Sequence, residues 1–311
     1  MVVEMKDIVK RYGDKIALDH LSFNVKEGEI FGLLGPNGSG KTTSIHCLVA
    51  LLKYNSGEIK VFGKDMKPTS YDIKKDIGLI MQDVAVFEEL TVYENINYFC
   101  GLYIKDKEKR KELVEEAIDF VGLEEYRKFY PKQLSGGLLR RLNIACGISH
   151  KPKLIILDEP TVAVDPQSRN KILEGIQELN KQGATIIYTS HYMEEVEQIC
   201  SRIVIMDNGK VIASGTKEEL KSMISLGEKI TVETFKIEEK HVEELKQLPE
   251  VMSVEYKDNI LIVNAEKTRH TSIEIVLDYM KKNHIEFGKI YSEMPTLNDV
   301  FLEITGKNLR D

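Results

Sequence analysis

Residues Gly35-Pro36-Asn37-Gly38-Ser39-Gly40-Lys41-Thr42 decide the fold, and a second hydroxyl, Thr43, follows them. The pattern is a Gly-x4-Gly-Lys-Thr phosphate loop. Glycines let successive backbone N–H groups converge on phosphate oxygens, because no side chain blocks the required angles. Lys41 brings a point charge to the β- and γ-phosphates, and Thr42 offers a hydroxyl to Mg²⁺. A helix starting at the loop adds a dipole that favours anions. The flanks meet the motif's structural requirement. Residues 29–34 are short and mostly apolar, which reads as a buried strand. Residues 41–52 read as a helix with Ile45, Leu48, Val49 and Leu52 on one face. A glycine-rich turn with a chance lysine lacks that context, so the stretch predicts a strand, loop and helix that grip a nucleoside triphosphate.

Size and charge bound what surrounds the loop. The 311 residues allow one large domain or two medium ones, and 42% hydrophobic with 30% charged residues supplies a real core. No run approaches ~18 consecutive apolar residues, so no transmembrane helix is expected. The opening Met1-Val2-Val3-Glu4-Met5-Lys6 lacks a basic-then-apolar leader, which predicts a cytoplasmic chain. A net charge of −7 speaks against nucleic acid as a partner. Cys47, Cys100, Cys146 and Cys200 lie apart in apolar stretches and read as buried, reduced thiols.

Strand-like segments at 2–10, 21–25, 29–34, 58–62, 77–81, 153–157, 184–189 and 202–206 alternate with helix-like segments at 41–52, 107–121, 138–149, 166–182 and 192–199. That order predicts an α/β domain with a largely parallel sheet over residues 1–225. The stretch 88–150 is almost wholly helical and reads as an insert. Residues 226–311 form a second unit. Strands at 228–235, 251–256, 260–265 and 286–292, with helices at 239–248 and 271–283, give a β-α-β-β-α-β order of ferredoxin-like, α+β type. Asp258-Asn259 suits a tight hairpin turn, and Thr296 caps a last helix running to about residue 305.

Two further features bear on the nucleotide. Leu154-Ile155-Ile156-Leu157-Asp158-Glu159 is an apolar strand ending in two carboxylates. The first suits a metal beside phosphates, and the second suits polarisation of an attacking water. Leu134-Ser135-Gly136-Gly137 opens the helix at 138–149. Serine and glycines at a helix start make a second anion site or an ordinary N-cap, and the residues alone leave both readings open.

Together these motifs resemble the ABC-type ATPases, P-loop NTPases with a helical subdomain. The resemblance covers about residues 1–225. Leu134–Gly137 is similar to that family's signature, Gln82 to its Q-loop glutamine, Asp165 to its D-loop aspartate and His191 to its switch histidine. Tyr12 sits where the family places an aromatic ring on adenine. Two positions depart from the commoner pattern: Leu138 follows the signature, and the D-loop reads Ala163-Val164-Asp165. Neither removes a charged or phosphate-contacting group.

The resemblance implies a set of roles. Residues 35–43 bind ATP with Tyr12, Thr42, Gln82 and Asp158 hold Mg²⁺, Glu159 activates water and His191 contacts the γ-phosphate. Lys41 and Gln82 belong to the catalytic set. Ser135, Gly136, Gly137 and Asp165 complete the site of a second copy, so the implied assembly is a head-to-tail homodimer, with a heterodimer as the alternative. The D-loop segment 162–169 and the tail 295–310 resemble drug- and antibiotic-resistance exporter ATPases of daunorubicin and linearmycin type. This implies an ABC-2-type membrane permease as partner, a place at the cytoplasmic face of the membrane, no nucleic acid and no direct contact with cargo. Two alternatives stand beside the exporter. Methionine importers carry a ferredoxin-like regulatory domain after the ATPase. ABC ATPases of repair, translation or iron–sulfur assembly need no membrane; repair members carry long coiled coils and translation members two ATPase halves, and this chain shows neither.

Overall fold

The structure, a computed structural model, describes residues 1–224, 226–266 and 272–306. The chain forms two compact units, one over Met1–Lys217 and one over Glu218–Asn308. The division falls a little before the 225/226 boundary read from the sequence.

The first unit is built on two sheets. One has six strands in the order Lys210–Gly215, Arg202–Asp207, Ile30–Leu34, Thr185–Ser190, Leu154–Asp158, Ile77–Ile80. All its pairings are parallel except the edge pair Lys210–Gly215 with Arg202–Asp207. Its central strands are buried along their whole length, which is why they read as continuous apolar runs rather than alternating ones. The other sheet is antiparallel and pairs Val3–Tyr12 with Lys15–Val25 and Ser56–Val61. The first two of these strands were expected in the parallel sheet. They form a hairpin instead, because Gly13 takes the left-handed φ of +57° and reverses the chain.

The helix that follows the phosphate loop is Lys41–Leu48, shorter than expected. It stops because Ala50 turns left-handed at φ +53° and the amides of Leu51 and Leu52 both reach back to the His46 carbonyl. Ile45 and Leu48 are fully buried in a core shared with Phe31, Leu33, Leu154, Ile156 and Val204. That packing fixes the loop between strand and helix, and truncating such a side chain to alanine costs about 2–5 kcal/mol.

The insert contains Val92–Gly101, Lys107–Val121 and Gly136–Ile148. Thr91 and Glu94 form a capping box on the first helix, Asp106 caps the second and Ser135 caps the third.

The second unit has the expected order: Leu226–Thr234, Glu239–Lys246, Val251–Lys257, Ile260–Glu266, Ser272–Lys282 and Phe287–Glu293. Its sheet runs Val251–Lys257, Ile260–Glu266, Leu226–Thr234, Phe287–Glu293, antiparallel throughout. Asp258 and Asn259 both have positive φ, 51° and 64°, as a two-residue hairpin of primed type requires. Ile230, Val232, Leu261 and Val263 meet Leu245, Val276 and Met280 in its core. Thr296 and Asp299 cap Leu297–Thr305 reciprocally. The last residues of the 295–310 tail, 307–310, lie outside the described residues.

Candidate functional site

The parallel strands Ile30–Leu34 and Leu154–Asp158, with Thr185–Ser190 between them, end at a cleft of about 410 Å³. It is lined by Tyr12, Asn37, Gly38, Gly40, Lys41, Thr42, Thr43, Gln82 and Glu159, together with Ala17 and Asn208. Gly40 sits at φ +106°, and a Cβ there would lie 2.9 Å from the Ala17 carbonyl oxygen. The position therefore demands glycine twice over.

Buried charges meet inside the cleft. Lys41 Nζ donates to the carbonyl oxygens of Gly35 at 2.7 Å and Pro36 at 3.3 Å, and lies 3.1 Å from Glu159 Oε1. His191 Nδ1 donates to Glu159 Oε2 at 3.0 Å. Glu159 itself takes a left-handed φ of +47°, rare for a residue with a side chain and frequent where a site over-determines the backbone. Lysine, glutamate and histidine are thus joined in one run of polar contacts from the phosphate loop to the end of the strand Thr185–Ser190.

Asp158 lies just behind, fully buried. Thr189 Oγ1 donates to its Oδ1 at 2.6 Å and also accepts the Glu159 amide at 2.9 Å. Asp158 Oδ2 is buried without a hydrogen-bond partner, as is Ser39 Oγ. A carboxylate oxygen held that way is costly unless a cation or donor reaches it. With the Thr42 hydroxyl and Gln82 amide at the same cleft, the donor set is all oxygen and fits a hard divalent cation such as Mg²⁺.

Tyr12 presents a half-exposed ring at the cleft, with the Lys10 ammonium 4.8 Å from its centre. Gln82 is held through its backbone. Arg140, buried on the helix Gly136–Ile148, donates to the carbonyls of Met81 at 3.0 Å and Gln82 at 2.6 Å. Asn143 on the same helix accepts the Ala85 amide at 3.1 Å.

Ser135, Gly136, Gly137 and Asp165 do not line this cleft. They gather elsewhere on the first unit. Ser135 Oγ accepts the Leu138 amide at 3.3 Å, so the hydroxyl is occupied in capping. A Cβ on Gly137 would meet Ser168 Oγ at 2.4 Å and Asp165 Oδ2 at 3.1 Å. Asp165 caps Pro166–Lys181 through the Ser168 amide at 2.9 Å, and that hydrogen bonding holds its carboxyl below the usual range. Within one chain, then, the phosphate loop and the signature segment occupy separate places. Thr189, Arg140, Asn143 and Glu195 carry site geometry that sequence reading missed. Only the apolar strand before Ser190 hinted at Thr189, and nothing local marked the others.

A parallel sheet whose strand feeds a phosphate loop, with paired carboxylates at the end of the next strand but one, defines a P-loop NTPase. The chain belongs to the ABC transporter ATP-binding family and is an ATPase that binds ATP. The ABC transporter family profile matches residues 18–162, and the profile described as ATP-binding protein DrrA1-3-like, C-terminal domain, matches residues 215–305. The linearmycin resistance ATP-binding protein LnrL of Bacillus subtilis (strain 168) is 38% identical over the whole of both chains. The daunorubicin resistance ATP-binding protein DrrA3 of Streptomyces coeruleorubidus is 34% identical over 97% of this chain and 95% of that one. The methionine import ATP-binding protein MetN of Clostridium tetani is 38% identical over 70% of each. A dimeric bacterial ABC transporter cassette superposes with a TM-score of 0.64 at 28% identity, covering 69% of this chain and 98% of that structure. Among the described residues, no helix is long and apolar enough to cross a membrane.

Proposed function

We propose that this chain powers an exporter of antibiotics or other amphiphilic compounds through a separate ABC-2-type membrane permease, working at the cytoplasmic face of the membrane. The observation that carries the reading is likeness over the full length. The resistance proteins match through the C-terminal unit as well as the ATPase, whereas the methionine importer matches over 70% of the chain. In this reading residues 1–225 are the ATPase domain, with a helical subdomain over 88–150, and residues 226–311 are an accessory domain.

The site residues act as follows. Residues 35–43 wrap the phosphates, Lys41 carries the countercharge and Tyr12 stacks on adenine. Thr42, Gln82 and Asp158 would hold Mg²⁺, which supplies countercharge to the β- and γ-phosphates when bound. Glu159 takes a proton from the attacking water, and His191, already bonded to Glu159, contacts the γ-phosphate. Ser135, Gly136, Gly137 and Asp165 serve the nucleotide of a second copy, so two ATP molecules bridge a homodimer, and hydrolysis releases it.

A second reading is an importer whose C-terminal unit senses substrate, favoured by the ferredoxin-like topology of that unit. The two are separated by capturing the Glu159→Gln variant with ATP from its native membranes and identifying its companions by mass spectrometry. A polytopic permease without a solute-binding protein supports export. A solute-binding protein in the complex supports import, and recovery with no membrane protein defeats both.

A further inference from the structure

Glu195 carries a buried carboxylate that the proposed hydrolysis does not use. Its side chain is 3% exposed, yet four groups converge on it. Thr161 Oγ1 donates to Oε2 at 2.8 Å, the Tyr188 hydroxyl at 2.7 Å and Ser190 Oγ at 3.1 Å. Oε1 lies 3.2 Å from Arg169 Nε, an ion pair without hydrogen-bond geometry. These partners come from three places. Thr161 lies just beyond Glu159, Tyr188 and Ser190 lead into His191, and Arg169 sits on the helix that Asp165 opens.

Two physical routes run from this carboxylate to His191. Ser190, while donating to Glu195, accepts the Tyr192 amide at 2.9 Å, so the backbone is pinned on both sides of the histidine. The His191 ring lies 4.1 Å from the Tyr192 ring, and the Arg169 guanidinium lies 5.0 Å above that same ring. Three hydroxyls satisfy Oε2 while Oε1 has only the Arg169 charge beside it, so removing Arg169 would leave that buried oxygen uncompensated.

We propose that the Glu195–Arg169 pair is a positioning device that ties the helix opened by Asp165 to His191, setting the histidine against Glu159. The inference rests on the hydrolytic role proposed for His191. Neither Glu195 nor Arg169 lines the cleft of the phosphate loop. They act by holding Ser190 and Tyr192, and with them His191, against Glu159. Displacement of Asp165 by a neighbouring copy would then be felt at His191 through Arg169.

Turnover, KM for ATP and thermal midpoint of the full chain test this in a double-mutant cycle. Glu195→Gln keeps size and an acceptor oxygen but removes the charge. It should lower kcat about tenfold, as small misplacements of reacting groups do, while KM stays within about twofold. Arg169→Gln, at a side chain one-third exposed, should do the same without unfolding the chain, and Arg169→Lys should restore most of the turnover. In a His191→Ala background Glu195→Gln should have no further effect. Loss by the same factor in both backgrounds, or unchanged kcat in both Glu195→Gln and Arg169→Gln while His191→Ala is impaired, overturns the positioning role alone. Full turnover by His191→Ala overturns the role of the histidine, and this route with it.

Discussion

Lys41 and Glu159 hold each other inside the cleft: the ammonium nitrogen lies 3.1 Å from the carboxylate, and both side chains are almost wholly buried. On the roles proposed above, the pair joins the residue that would meet the γ-phosphate to the residue that would activate water. Phosphate oxygens arriving beside Lys41 would give it a competing anionic partner and free Glu159 to face water, linking binding to readiness for hydrolysis through one ion pair.

Glu159→Gln should therefore keep ATP binding and lose turnover by about 10²–10⁴-fold, the usual contribution of a positioned base. The variant should accumulate as an ATP-bound dimer in size-exclusion chromatography. Lys41 keeps the Gly35 and Pro36 carbonyls as acceptors, so the stability loss should stay below the ~3–5 kcal/mol typical of an orphaned buried charge. Phosphate release at the parental rate would remove Glu159 from the mechanism.

Thr189 is the next residue to test, because one hydroxyl serves both acids. It donates to Asp158 at 2.6 Å and accepts the Glu159 amide at 2.9 Å. Thr189→Val keeps the shape and deletes both side-chain bonds, so Asp158 Oδ1 loses its partner while the Glu159 amide keeps the Thr189 carbonyl at 3.2 Å. Leaving buried groups unpaired costs about 1–3 kcal/mol. Turnover should fall about 10–100-fold, as when the support of a metal ligand is removed, with the Mg²⁺ concentration for half-maximal rate raised. An unchanged Mg²⁺ dependence would show that Thr189 supports the strand and not Asp158.

How much of this was legible in the sequence follows from locality. The phosphate loop and the Asp158-Glu159 strand end are contiguous, so their chemistry could be read directly. The ferredoxin-like unit was legible too, since alternation, helix period and the Asp258-Asn259 turn agree. Thr189 was not, because its importance comes from register: Asp158 pairs with Thr189 across two parallel strands far apart in sequence. Glu195 was equally silent, since an acid in the first turn of a helix ordinarily faces water. The antiparallel sheet at the N-terminus was read as part of the parallel one, because a strand's own residues do not say which strand it pairs with or in which direction. The edge strand Lys210–Gly215 went unread for want of an apolar run.

His150 predicts a pH dependence. The imidazole is buried against the Tyr103 ring, 4.0 Å away, and burial holds its pKa below 6.5. Nε2 donates to the Ile77 carbonyl at 3.3 Å, and Nδ1 is buried without a partner. A second proton on Nδ1 finds no acceptor in the folded chain but is solvated in the unfolded one. The unfolded state therefore binds more protons below pH 6.5, and stability falls as pH drops through that value toward the lower folded pKa. Urea midpoints at pH 7.5 and 5.5 should show a smaller drop for His150→Phe, which keeps the stacking, than for the parent. Equal drops would place the acid sensitivity elsewhere.

Gly137 separates nucleotide binding from turnover. It lies on the helix Gly136–Ile148, away from the cleft that holds Lys41, and a methyl there would press on Ser168 and Asp165 at 2.4 and 3.1 Å. Gly137→Ala should push the cap of Pro166–Lys181 out of place while leaving every residue of the cleft untouched. If each ATP is completed by the signature of a second copy, the variant should bind ATP with parental affinity by calorimetry yet hydrolyse it at least about tenfold more slowly, because only the composite site is damaged. Mixing makes the argument sharper. A Lys41→Ala chain lacks its own nucleotide grip but keeps an intact signature, and a Gly137→Ala chain has the reverse. Combined in equal amounts, half of the randomly formed dimers pair one chain of each kind, and each of these has one site with an intact loop facing an intact signature, so turnover should return toward about a quarter of the parental level. No recovery on mixing, with both chains folded and dimeric, would mean that Gly137 acts within its own chain and that the shared-site assembly is wrong.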